Sequence, residues 1–253
     1  MELKDQIVLV TGGSRGLGAE TVKAFAREGA KVVINYFKNE EKAKVLTETI
    51  GENALALRAD VRDPAQVQSI FRLAKEHFGA PITTIVNNAL VNFKFDPIAN
   101  KDAFAVGWED YHQQLEGAVR GALNTIQSGL PDMKEVKFGR IVNIGTNLFQ
   151  NPVVAYHDYT TSKAALLGFT RNMANDLGKY GVTVNMVSGG LLKMTDASSA
   201  TSEEVFQLIE SSTPLRKVTD PAEVADSILF FASPWARAVN GQNLVVDGGL
   251  VMD

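Results

Sequence analysis

The chain has 253 residues, 25 Lys and Arg against 29 Asp and Glu (net −4), 45% apolar residues and no cysteine. Such a chain can bury a full core, so disorder is not expected. No run of Lys/Arg exceeds a pair, which argues against a nucleic-acid or anionic-membrane surface, and disulfides, thiolate catalysis and Cys-ligated metal are excluded. His77, His112 and His157 lie far apart without HxxxH spacing, so no metal is expected. No apolar stretch reaches 18 residues and the first residues lack a leader pattern; the expected location is the cytoplasm.

In chain order, β-branched runs alternate with helical patterns. The runs are QIVLVT (6–11), KVVINY (31–36), NALALR (53–58), TTIVNN (83–88), RIVNIG (140–145), VTVNMV (182–187) and QNLVVD (242–247). They are continuously apolar, as strands covered on both faces are. Helices are expected over 16–28, stopped by Gly29; over 64–78, capped by Asp63 before Pro64; and from Pro221 to about Ala232, opened by the box Asp220-x-x-Glu223. Longer helical patterns cover 109–130 and 156–179. Repeated strand–helix alternation implies right-handed crossovers and a parallel sheet. The expected fold is α/β: one doubly wound (Rossmann) domain over 1–253 with seven parallel strands and helices on both faces.

The first strand runs into TGGSRGLG (11–18), with glycines spaced GxxxGxG at Gly12, Gly16 and Gly18. That pattern allows a tight turn, backbone approach to a pyrophosphate and close helix–strand packing, and the following helix offers free N–H groups to phosphate. The second strand ends Asn35-Tyr36-Phe37-Lys38, without the carboxylate that a free ribose 2′-hydroxyl calls for. Arg15 within the turn and Lys38 beyond the strand suit a 2′-phosphate instead, so NADP(H) is the expected cofactor.

YHDYTTSK (156–163) places Lys163 four residues after Tyr159, on one helix face; Tyr156 has Thr160 at that spacing. With TGGSRGLG, ADV (59–61), NNA (87–89), VTVN (182–185) and GQNLVVDGG (241–249), this pair makes the chain resemble the short-chain dehydrogenase/reductase family over nearly its whole length. In character it looks most like the bacterial 3-oxoacyl-acyl-carrier-protein reductase-like members, which are usually tetramers.

The resemblance implies roles. Gly12, Gly16 and Gly18 would line the pyrophosphate, with Ser14, Arg15 and Leu17 of the same turn at the cofactor. Asn35, Tyr36 and Lys38 would face its adenosine end, and Asp60 and Val61 its adenine. Asn87 and Ala89 would lie beside it after the fourth strand, and Gly189, Gly190 and Leu192 after the sixth. Tyr159 would be the general acid/base, with Lys163 holding the nicotinamide ribose. An unperturbed phenol holds its proton too tightly near neutral pH, and a fixed ammonium one turn away is expected to lower its pKa.

Four positions depart from the family pattern. The catalytic serine is replaced by Thr146, which keeps a hydroxyl. NNAG reads Asn87-Asn88-Ala89-Leu90, so the loop must take another path. The relay asparagine aligns with Gln114. Pro-Gly becomes Gly189-Gly190, with Met194 in the place of a threonine and Thr195 after it.

The reading is an NADPH-dependent reductase of ketones or 3-oxoacyl thioesters, with hydride from the nicotinamide and a proton from Tyr159. The alternative is a non-catalytic nucleotide-binding sensor of the same fold. Residues 190–215 fit a lid, and Phe93, Phe95, Leu148, Phe149 and Val153 an apolar pocket. The partners expected are a small carbonyl substrate and, from the family, copies of the chain in a homotetramer. An acyl carrier protein would need a basic patch, for which Lys134, Lys137, Arg140 and Arg171 are candidates that ordinary solubility explains equally well.

Overall fold

Ile7, Val8, Leu9 and Val10 form the first strand, β1 (Ile7–Val10), and all four are buried. Val8 and Val10 join one apolar core, Ile7 and Leu9 a second. Two covered faces explain why the run is continuously apolar. The structure is a computed structural model and describes every residue except Lys94, Pro97, Ile98, Ala99, Met194, Asp196 and Asp253. The expected displacement at Met194 therefore lies outside the described residues.

Six strands follow: β2 (Lys31–Tyr36), β3 (Ala54–Arg58), β4 (Thr84–Asn87), β5 (Gly139–Thr146), β6 (Val182–Gly189) and β7 (Asn243–Val246). They pair in parallel in the order β3-β2-β1-β4-β5-β6-β7. The winding reverses between β1 and β4, and in such sheets ligands gather outside the carboxyl ends of the strands at that crevice. The helices are α1 (Gly16–Arg27), α2 (Glu40–Ile50), α3 (Pro64–Phe78), α4 (Trp108–Leu115), α5 (Gly121–Val136), α6 (His157–Leu177), α7 (Glu203–Ser212) and α8 (Pro221–Ala232). Phe25 of α1 and Ile228 of α8 pack on one face of the sheet. Ile70 of α3, Ile126 of α5 and Leu177 of α6 pack on the other.

The helix ends follow local chemistry. Asp63 accepts the N–H groups of Ala65 and Gln66, and the Glu223 carboxylate accepts the Asp220 N–H at 3.0 Å. Helix α2 went unread in the sequence because only Ala43 and Leu46 of its residues are buried, too sparse a stripe to show a period. The helical pattern over 109–130 forms as one uninterrupted run in which α4 and α5 are joined by a π-helical turn, Glu116–Arg120. There Gly117 meets the chain leaving β4, and a Cβ on it would stand 2.8 Å from Val91 Cγ2.

Candidate active site

The glycine turn leaves β1 and enters α1. Gly12 and Gly16 sit at φ +62° and +51°, the left-handed region that side chains resist. A Cβ on Gly18 would fall 2.3 Å from the Gly12 carbonyl oxygen, so only glycine lets the helix close on the turn. Arg15 caps α1 without a side-chain bond to the helix, which leaves its first N–H groups facing the crevice. Ser14 is buried, and half-buried Leu17 packs on the α1 core rather than outward. Thr195 lies over the turn, its Cβ 3.6 Å from where a Gly16 Cβ would be.

Asn35 is buried and braces the turn from inside. It accepts from the Gly12 N–H at 3.4 Å and donates to the Ala59 carbonyl at 3.0 Å. That commits its side chain to backbone. Beyond it, Tyr36, Phe37, Lys38, Glu40 and Arg58 line a cavity of about 350 Å³. Register sets Arg58 beside Tyr36, and its Nε donates to the Phe37 carbonyl at 3.2 Å. Arg58 and Glu40 were missed because neither lies in the stretch that ends β2. Asp60 is held by Arg62 at 2.6 Å, which keeps its carboxyl below the usual range, and Val61 accepts from Asn124 at 2.9 Å.

At the end of β4, the Asn87 amide donates to Asn143 of β5 at 2.8 Å. The N–H groups of Asn88 and Ala89 both donate to the Thr11 hydroxyl, at 2.9 and 3.0 Å, pinning this loop to the glycine turn. Thr11, Asn87, Ala89, Gly117 and Lys163 share the walls of a small cavity between that loop and the π-helical turn. Gly189 ends β6 in register with Thr146, Gly190 follows it, and Leu192 bridges to Thr219.

Thr146, Tyr159 and Lys163 converge. All three are buried, and the Thr146 hydroxyl is near enough to Tyr159 to favour its ionised form. Lys163 lies with Nζ 5.7 Å from the centre of the Tyr159 ring and donates to the Ile144 carbonyl at 2.7 Å. The expected fall in the Tyr159 pKa is not what this geometry gives. Burial raises the phenol to about 12, only partly opposed by the Thr146 hydroxyl. Burial also lowers Lys163 to about 8. Both shifts have one cause, loss of water around the charged form.

The reason for that burial is a ring cluster. Phe93 stacks on Tyr159 with centroids 4.5 Å apart, and Phe95 stands edge-on to Tyr159 at 5.3 Å. Tyr156 meets both phenylalanines edge-on at 5.4 and 5.7 Å, consistent with its reading as pocket wall. The Gln114 amide donates to the Val91 carbonyl at 3.2 Å, in the segment that carries Phe93. Of the other pocket candidates, Leu148 and Phe149 are half-buried and Val153 is 71% exposed.

The basic candidates do not form one patch. Arg140 is buried against the Gly139 carbonyl and stacked on Phe138, because its strand carries it inside. Lys134 lies over the Tyr180 ring at 4.3 Å, and Lys137 and Arg171 are exposed. The stretch 190–215, expected as a lid, contains α7, whose Leu208 is 65% exposed. Among the described residues no group of acidic and histidine side chains could hold a metal, and no helix is long and apolar enough to cross a membrane.

A family model described as enoyl-(acyl carrier protein) reductase matches residues 12–251. The chain is 29% identical over 252 residues to the 3-oxoacyl-[acyl-carrier-protein] reductase FabG of Vibrio cholerae, covering 100% of both chains. It is 30% identical over 249 residues to the protein of that name from Staphylococcus aureus, covering 96% of this chain and 97% of the other. The Escherichia coli K12 protein of the same name is 29% identical over the full length of both.

Proposed function

The chain belongs to the short-chain dehydrogenase/reductase family, and on that premise we propose that it is an NADPH-dependent reductase of ketones or 3-oxoacyl thioesters. The oxidoreductase class rests on the family and on its FabG relatives. The observation that carries the carbonyl chemistry is the meeting of Thr146, Tyr159 and Lys163 at the crevice end of β5 and on α6.

The turn fits a dinucleotide: two left-handed glycines, a third closed on backbone, and an uncapped helix start. Arg15, Lys38 and Arg58 would hold a 2′-phosphate, while Asp60 and Val61 would border the adenine. When bound, NADP(H) supplies hydride to the carbonyl carbon. The Thr146 hydroxyl holds the substrate oxygen, and Tyr159 passes that oxygen its proton. A phenol near 12 stays protonated at neutral pH, the form a donor needs, and a developing alkoxide is more basic still. Lys163, protonated below about 8, keeps a positive charge behind the phenol as it loses its proton. Ring burial around Tyr159 excludes water from that exchange.

The sensor reading keeps the cofactor and drops the chemistry. NADPH consumption against ketones and 3-oxoacyl thioesters separates the two: turnover supports the reductase, and tight NADPH binding without turnover on any of them supports the sensor. We assign the protein to the cytoplasm and to a homotetramer on the strength of the family; a monomer by light scattering at micromolar concentration would remove the second assignment.

A further inference from the structure

We propose that the substrate carries a flat aromatic ring next to its carbonyl, and that this ring takes the seat which Phe93 occupies against Tyr159. The inference rests on the reductase reading and deepens it.

The seat has the shape and chemistry of a benzene ring. Its floor is the face of Tyr159, to which Phe93 lies within 16° of parallel. Its sides are Phe95 and Tyr156, which stand 81° and 82° to Phe93. Edge-to-face and stacked contacts of this kind favour a planar π-system over a puckered ring of equal area, because the ring quadrupoles must match. A ring in that seat sets an attached carbonyl beside the phenol whose face it covers.

Phe93 can leave. It is half-buried, so part of it meets solvent. It follows Asn92, which holds φ +48°, a conformation that few non-glycine residues adopt. The segment is moored on both sides of that turn, by Gln114 at the Val91 carbonyl and by the Ala197 carbonyl at the Phe95 N–H, both near 3.2 Å. Exchange requires Phe93 to turn out of its seat between these two moorings. Phe93 then acts as an internal competitor, and the apparent affinity for the substrate ring is reduced by the fraction of molecules in which the seat is filled.

The test uses acetophenone and cyclohexyl methyl ketone, which share a carbon skeleton and differ in planarity. Their dissociation constants are measured by calorimetry on Tyr159→Phe loaded with NADPH, where the floor keeps its ring and no proton is given. Acetophenone binding at least about threefold tighter supports the proposal; equal binding, or tighter binding of the puckered ketone, overturns it. Two further variants sharpen the reading. Phe93→Leu in that background strengthens acetophenone binding about threefold or more, and Phe95→Leu weakens it by a similar factor. A Phe93→Leu variant that binds acetophenone more weakly would show Phe93 to be an ordinary wall and would overturn the exchange. Failure of the reductase reading looks different: wild-type protein binds the flat ketone and reduces no carbonyl.

Discussion

The side-chain amide of Asn147 donates to the buried carboxylate of Asp247 at 2.9 Å, joining positions 100 residues apart. Asn147 follows Thr146 directly, and Asp247 also accepts the N–H groups of Gly249 and Val251 at 3.0 Å. The turn so formed gives its Gly248 carbonyl to the Leu215 N–H, just past α7. One carboxylate therefore ties the residues after β7 and the segment after α7 to the strand end that bears Thr146. Asn147→Ala removes one donor from a buried charge. A stability loss of about 1–3 kcal/mol in urea unfolding is expected, with kcat reduced and NADPH affinity unchanged.

Tyr159→Phe keeps the stacked ring and removes the proton. Turnover is expected to fall by about 10²–10⁴ with cofactor binding retained. Thr146→Val removes a hydroxyl at nearly constant volume and is expected to cost about 10²-fold in kcat, whereas Thr146→Ser retains activity. Steady-state rates and the NADPH dissociation constant of each variant check both.

The pH profile for reduction should fall above about 8, where Lys163 loses its charge, while Tyr159 stays protonated up to about 12. Stability carries the opposite sign. Lys163 has a folded pKa near 8 against an ordinary 10.5, so its burial penalises the folded state fully below 8. Between about 8 and 10.5 the unfolded chain binds the extra proton and the penalty is relieved. The stability difference between Lys163→Met and wild type should therefore shrink as pH rises through that window. A difference that is constant with pH would show that burial does not shift Lys163.

Arg58→Ala and Arg15→Ala should each weaken NADPH binding about tenfold, and NADH binding much less, by calorimetry. Glu40→Gln removes a carboxylate from the same cavity and should favour NADPH slightly. An unchanged NADPH/NADH preference in both arginine variants would cancel the 2′-phosphate assignment.

Gln114→Leu frees the segment bearing Phe93 from its mooring at Val91. A positioning role predicts a raised KM with kcat nearly unchanged. A proton relay through the amide predicts the reverse split.

Much of the fold is legible because strand runs and helix caps are local. All seven runs became strands within a few residues, and Asp63 and Asp220 mark the starts of α3 and α8 as their spacing predicts. The glycine turn is legible for the same reason: its constraint lies within one stretch of eight residues. Two features are decided at a longer range. The bracing of the glycine turn by Asn35 depends on parallel pairing with β3, which surrounds its side chain with backbone. Arg140 looked like a surface cation, yet its strand runs through the middle of the sheet.

By itself the sequence determined the sheet, the glycine turn and the nearness of Tyr159 to Lys163, since each follows from spacing along a strand, turn or helix. Only the tertiary structure decided how acidic that phenol is. Phe93 and Phe95 come from a segment more than sixty residues earlier, and by covering Tyr159 they remove the water that would stabilise its charge. Spacing can place an ammonium one turn away, but the solvent left around a side chain is set by every element packed upon it.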